Sequence, residues 1–184
     1  VQKAPVNADD IWTDERFSYY PALPQAPDSN SVSEVLTALK TAELPVIVCG
    51  GGVVLAGGTA ELAIFAKTLD IPVCTTVSGQ GSLAETHPNC VGVVGSNGGQ
   101  PATRALVDEA DLIFYIGCRA GSVTTERWRS PEVGTTVIHM DNDPAVIGAC
   151  YRTKAAMVCD ARLGLEALIL ELGAVVGKNG AARV

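Results

Sequence analysis

The chain has 184 residues, enough for one domain that buries most of its apolar surface without staples. Its formal net charge of −7 argues against a nucleic-acid phosphate backbone as partner. Hydrophobic residues make up 47% of it but aromatics only 5%, so small and branched apolar side chains must fill the core. Six cysteines (Cys49, Cys74, Cys90, Cys118, Cys150 and Cys159) form no Cys-x-x-Cys pair, and only two histidines accompany them. That pattern argues against zinc and for buried free thiols in a reducing compartment. No apolar run reaches membrane-spanning length and no signal peptide is visible, so the sequence reads as cytoplasmic, with no membrane partner.

In chain order, residues 1–30 carry Pro5, Pro21, Pro24 and Pro27 and a charged, aromatic patch from Trp12 to Tyr20, without sustained periodicity. They read as an interdomain linker that ends at a helix N-cap near Ser31 or Ser33. An α/β domain is expected over 31–173 and a fraying C-terminal linker over 174–184. Within the domain, Ser33–Ala42 predicts a short amphipathic helix and Pro45–Cys49 a strand buried on both faces. Gly50–Gly52 breaks the pattern, and Thr59–Leu69 resumes as a helix with Leu62, Phe65, Ala66 and Leu69 on one face. Strands follow at Pro72–Val77 and Val91–Val94, then a helix at Pro101–Ala110 with Ala102, Ala105, Leu106 and Ala110 inward. Further strands are expected at Leu112–Ile116, Thr136–Met140 and Ala156–Cys159, a short helix at Pro144–Cys150, and a closing helix at Ala161–Leu172. Strands separated mostly by helices predict a three-layer α/β/α sandwich around a six-stranded parallel, Rossmann-like sheet.

In such a sheet every strand's C-terminal end reaches one edge, where ligands bind. The expected strand ends carry Gly50-Gly51-Gly52, Thr76 with Ser78-Gly79-Gln80-Gly81, Gly95-Ser96-Asn97-Gly98-Gly99, Gly117-Cys118-Arg119, Asp141-Asn142-Asp143 and Asp160. Glycines let a ligand approach backbone N–H groups, Arg119 supplies a cation, and Asp141 or Asp143 could accept from ribose hydroxyls. Each residue also has a structural reading. The glycines turn the chain, the aspartates cap helices, Arg119 pairs with a carboxylate such as Glu126, and His139 is a hydrogen-bonded core residue. Cys118, between Gly117 and Arg119, could have a lowered thiol pKa or be buried and inert. Trp128, between Arg127 and Arg129 in an expected loop, could anchor an interface or pack locally. A dinucleotide fingerprint starting at Gly50 fails because its third glycine falls on Leu55; a P-loop fails because Gly58 stands where lysine is required. No Gly-x-Ser-x-Gly elbow is present.

The segments LPVIVCGGGVVLAGGTAELAIFAKTLDIPVCTTVSGQGSLAETHPNCVGVVG, ADLIFYIGCRAG, VIHMDNDPAVIG and VCDARLGLEAL occur in that order. Together, over about residues 33–172, they resemble the central domain of the acetolactate synthase, pyruvate oxidase and benzoylformate decarboxylase superfamily of thiamine-diphosphate-dependent enzymes. In that superfamily the central domain binds the ADP portion of FAD, binds ADP, or binds nothing and serves as scaffold. The positions matching its nucleotide contacts are Gly50, Gly51, Gly52, Thr76, Gly117, Arg119, Asp141 and Asp160. The family's Phe-Asp-Asp-Arg after the arginine is here Ala120-Gly121-Ser122-Val123, and Cys159 stands where glycine is usual.

The resemblance implies thiamine diphosphate and Mg²⁺ in a parent enzyme, on sites outside this chain. Its activating glutamate belongs to an N-terminal domain and its Gly-Asp-Gly segment to a C-terminal one; no Gly-Asp-Gly occurs here. The expected partners are those two domains of the same polypeptide and further copies in a homodimer or homotetramer. The expected parent activity is that of a carboligase or 2-oxo acid decarboxylase, with the thiazolium ylid as electron sink. The isolated chain is expected to be inactive. The alternative is a free-standing FAD- or NAD-binding module like the flavin domain of electron-transfer flavoproteins.

Overall fold

A computed structural model describes residues 5–18 and 22–179, with side chains described up to Gly173. Tyr19, Tyr20 and Pro21 of the expected linker, its residues 1–4, and residues 180–184 of the expected tail lie outside the described residues. The described part of the linker is not featureless. Asn7 and Asp14 each accept a backbone N–H two residues on, which nucleates 3₁₀ turns at Ala8–Asp10 and Glu15–Phe17.

Helix α1 spans Ser29–Thr41 and starts earlier than the sequence suggests. Asp28 is its N-cap, accepting from the Asn30 and Ser31 N–H groups at 3.1 and 3.0 Å. Ser31, one of the two expected caps, is instead a buried first-turn residue whose hydroxyl donates to the Asp28 carbonyl. Strand β1 (Pro45–Cys49) runs into a short helix α2 (Gly51–Leu55), so the glycine triplet starts a helical turn rather than only breaking a pattern. Helix α3 (Thr59–Leu69) buries Leu62, Phe65 and Ala66. Strands β2 (Val73–Thr75) and β3 (Cys90–Val93) follow, then helix α4 (Pro101–Glu109), β4 (Leu112–Ile116), β5 (Thr136–Asp141), β6 (Thr153–Val158) and helix α5 (Ala161–Asn179).

All six strands pair in parallel, in the order β3-β2-β1-β4-β5-β6. Strand residues alternate between two cores with period two. Ile47, Phe114, Ile138 and Met157 face a large core closed by α1, α3 and α5. Val46, Val48, Ile113, Tyr115 and Val137 face a smaller one closed by α4 and loops. Helices therefore lie on both faces, as expected, but unequally.

Three expectations need correction. Helix α4 turns Thr103 and Val107 inward and leaves Ala102 and Ala105 exposed. The buried Thr103 hydroxyl, 2.7 Å from the Val93 carbonyl oxygen, ties the helix to the end of β3, which alanine side chains cannot do. Residues 144–150 form two successive turns, closed by Val146 N–H to the Asp143 carbonyl and Ala149 N–H to the Val146 carbonyl, rather than a helix. Gly148 has φ 72°, which a helix of so few residues does not survive. Strand β6 begins at Thr153, not Ala156; its first two residues, Thr153 and the exposed Lys154, are polar, so its start lacks a continuous apolar run. The backbone of α5 also continues past Leu172 to Asn179.

Candidate functional site

The strand order reverses between β1 and β4, the switch point at which the loops of an open α/β sheet diverge and leave a crevice. Two adjoining clefts, of about 750 and 260 Å³, lie over the C-terminal strand ends there. They share Gly52, Leu55, Gly117, Arg119 and Val146, and so form one trough. Gly50, Gly51, Gly52, Thr76, Gly117 and Arg119 line its larger part; Asp141 and Asp160 line the smaller. The structure thus brings all eight sequence-selected residues to one surface.

Their local roles divide. The Gly50 N–H donates to the Ile116 carbonyl at 2.9 Å and the Gly52 N–H to the Gly117 carbonyl at 3.1 Å. A Cβ on Gly50 would strike the Gly117 carbonyl oxygen, and one on Gly52 would lie 2.6 Å from Gly117 Cα. Two of the three glycines therefore serve backbone contact between α2 and the end of β4. Only the Gly51 N–H has no acceptor among the described residues. Thr76 is buried, and its hydroxyl oxygen accepts from the Gly79 N–H at 3.0 Å, holding the turn after β2. Asp160 is buried as the N-cap of α5, accepting from the Arg162 and Leu163 N–H groups at 3.0 and 3.1 Å. Asp141 accepts from the Asp143 N–H, and Asp143 from the Ala145 N–H, which fixes the turn after β5. Only Asp160 caps a helix as expected; Asp141 and Asp143 hold turns instead, because no helix follows β5, and all three line the trough.

Arg119 is exposed and makes no ion pair among the described residues. Glu126, its suggested partner, is held instead by Arg104, 2.6 Å away. Cys118 is buried, and burial pushes its thiol up to about 11, so a lowered pKa is ruled out. His139 is buried, with Nε2 2.8 Å from the Cys118 carbonyl oxygen, and burial lowers its pKa. No His, Cys, Asp or Glu group among the described residues is placed to hold a metal ion. No helix among them is long and apolar enough to cross a membrane.

Residues outside those eight also line the trough. Ser78, Ser122 and Thr124 add hydroxyls, and Leu55, Val77, Val123 and Val146 give it apolar walls. Position already placed Ser78 at this edge, and could equally have flagged Leu55, a few residues beyond β1. Ser122–Thr124 arrive through tertiary contact. The Ser96 N–H donates to the Val123 carbonyl at 2.8 Å, and a Cβ on Gly95 would collide with that same oxygen.

The strand order and the site at its switch point define a doubly wound α/β domain. The family model described as the central domain of thiamine pyrophosphate enzymes matches residues 32–168, and the chain belongs to that family. It is 36% identical, over 80% of its length, to a protein named as a probable acetolactate synthase large subunit of Methanococcus aeolicus. It is 38% identical, again over 80%, to one of the same name from Methanocaldococcus jannaschii. A glyoxylate carboligase of Escherichia coli is 29% identical over 90% of the chain. The alignments cover 24%, 25% and 28% of those proteins, so the chain spans about a quarter of the length of these curated relatives.

Proposed function

We propose that this chain is the central domain, residues 31–173, of a longer thiamine-diphosphate-dependent carboligase or 2-oxo acid decarboxylase of acetolactate synthase type. Its trough holds a nucleotide, either ADP or the ADP portion of FAD. The observation that carries this reading is the polarity of the trough. The Gly51 N–H and the hydroxyls of Ser78, Ser122 and Thr124 gather over β1, β2 and β4, with Arg119 at the junction of the two parts. The carboxylates of Asp141, Asp143 and Asp160 gather over β5 and β6. Donors and a cation suit a diphosphate; carboxylates suit a ribose diol and repel phosphate. The apolar side chains of Leu55 and Val146 reach both parts and suit the faces of a base or flavin. No His, Cys, Asp or Glu group among the described residues is placed to hold the Mg²⁺ of thiamine diphosphate. In the parent enzyme that cofactor supplies the electron sink from sites beyond these residues. This domain supplies scaffold and nucleotide, and the parent assembles as a cytoplasmic homodimer or homotetramer.

Isothermal titration of the 184-residue chain with ADP and with FAD tests the site. Binding is expected, and Arg119→Ala should weaken it about tenfold or more, the worth of one charge-assisted contact. Lys40→Ala, at an exposed position of α1, which does not line the trough, should leave it unchanged. Absence of binding to either ligand would reduce the domain to scaffold.

A further inference from the structure

The loop after β4 carries an unusual backbone. Glu126, Arg127 and the half-exposed Trp128 are three successive non-glycine residues with φ of 49°, 61° and 58°. Such conformations persist only where the surroundings over-determine them. The Thr125 hydroxyl donates to the Gly121 carbonyl and accepts from the Trp128 N–H, and Arg104 of α4 pairs with Glu126. These contacts tie the loop to itself and to α4.

Between the loop and the sheet is a cavity of about 10 Å³. Its polar lining is Tyr115 of β4, Arg104 of α4, and Thr124, Glu126 and Ser130 of the loop. Tyr115 is 1% exposed and Ser130 6%. Neither hydroxyl has a hydrogen-bond partner among the described residues, while Arg104 is engaged by Glu126 and Asp108 and Thr125 by Gly121 and Trp128. Buried hydroxyls rarely go unmet. The Tyr115 ring is held between His139 and Tyr151, at 5.8 and 6.1 Å, so its hydroxyl cannot swing away. Burial pushes the phenol pKa up and keeps it a donor. A water needs roughly 10–15 Å³ of space for its centre and a few polar partners. The cavity therefore has room for one water and not for two. Arg104 opposes a cation there and Glu126 an anion, and the two pair with each other at 2.6 Å. The lining favours a small neutral ligand that both donates and accepts.

We propose that this cavity is the binding site of one ordered water, which bridges the Tyr115 and Ser130 hydroxyls and pins the loop to β4. Val94 and Thr124 line the cavity and the trough alike, so the water supports the trough's wall from behind. The site stands whether or not the trough takes a nucleotide.

Crystals of the 184-residue chain grown with sodium bromide test the occupant. A water is expected within about 3.2 Å of both hydroxyl oxygens, and no halide. Urea unfolding tests the bridge. Tyr115→Phe and Ser130→Ala should each lower the folding equilibrium constant about fivefold, and the double variant by clearly less than the product of the two, because one water serves both. Amide exchange at Thr125–Ser130 should quicken in each variant. Circular dichroism checks that the variants are folded. Bromide in the cavity, a water that touches only one hydroxyl, multiplicative losses or unchanged exchange in the loop would each overturn the proposal.

Discussion

His139 lies on β5 with its ring 5.8 Å from that of Tyr115, and its Nε2 faces the Cys118 carbonyl. A carbonyl oxygen only accepts, so Nε2 carries a proton, and it is burial that favours the neutral ring over the imidazolium. The hydrogen bond ties the turn that bears Arg119 to the neighbouring strand. The sequence shows that His139 sits in an apolar strand and must be satisfied there; it does not show the partner, which is 21 residues away and reached only through β4–β5 pairing. The sign of the pH effect follows from burial. An unfolded histidine titrates near 6.5, and burial lowers the folded value, so between the two the unfolded chain binds more protons. Stability contributed by this group is complete above about pH 6.5 and is lost as pH falls through the folded value. Urea unfolding between about pH 7 and 5 should therefore show a falling free energy, and His139→Gln, which keeps a donor, should flatten that fall while costing about 1 kcal/mol at pH 7. An unchanged slope in the variant would assign the proton uptake elsewhere.

Among the elements, those with continuous apolar runs were the legible ones. PVIVC and LIFYI are buried on both faces and are β1 and β4 as the sequence predicts. Elements that lie at an edge or depend on one polar contact were not, because their side-chain pattern is set by a neighbour rather than by period. The start of β6 and the inward face of α4 are of this kind. The glycines at the switch point show the same division. Their presence at a βα turn is readable, but not that Gly117, at φ 55°, would place a Cβ 2.7 Å from Gly52 Cα. Gly117→Ala should therefore cost about 2–4 kcal/mol, combining left-handed backbone strain with overpacking against α2. Gly57→Ala has comparable backbone strain at φ 67° but meets nothing within 4 Å, and should cost only about 1–2 kcal/mol. Denaturant titrations of the two variants separate conformational strain from contact. Equal losses would mean that the α2–β4 approach carries no energy of its own.

At the scale of the whole molecule the site is a property of topology. Eight residues spread from Gly50 to Asp160 meet because parallel strands deliver their ends to one edge, and that rule is readable from strand and helix alternation alone. The trough's walls were not readable, since Ser122–Thr124 reach it by docking on the turn after β3 and Val146 by the two turns after β5. A ligand that spans the trough must bridge both halves of the sheet, and hydrogen exchange reads that directly. In the free protein, amides of the central strands β1 and β4 should exchange slowest and those of the edge strands β3 and β6 faster. With saturating ADP, protection should rise at Gly51, at Ser122–Thr124 and at the Asn142, Asp143 and Ala145 amides together, because phosphate and ribose engage opposite sides of the switch point. It should stay unchanged at α1 and α4, which do not line the trough. Protection confined to the Asn142, Asp143 and Ala145 amides would leave the Arg119 side without a phosphate, and the nucleotide reading would then fail in favour of a ligand that only the carboxylates hold.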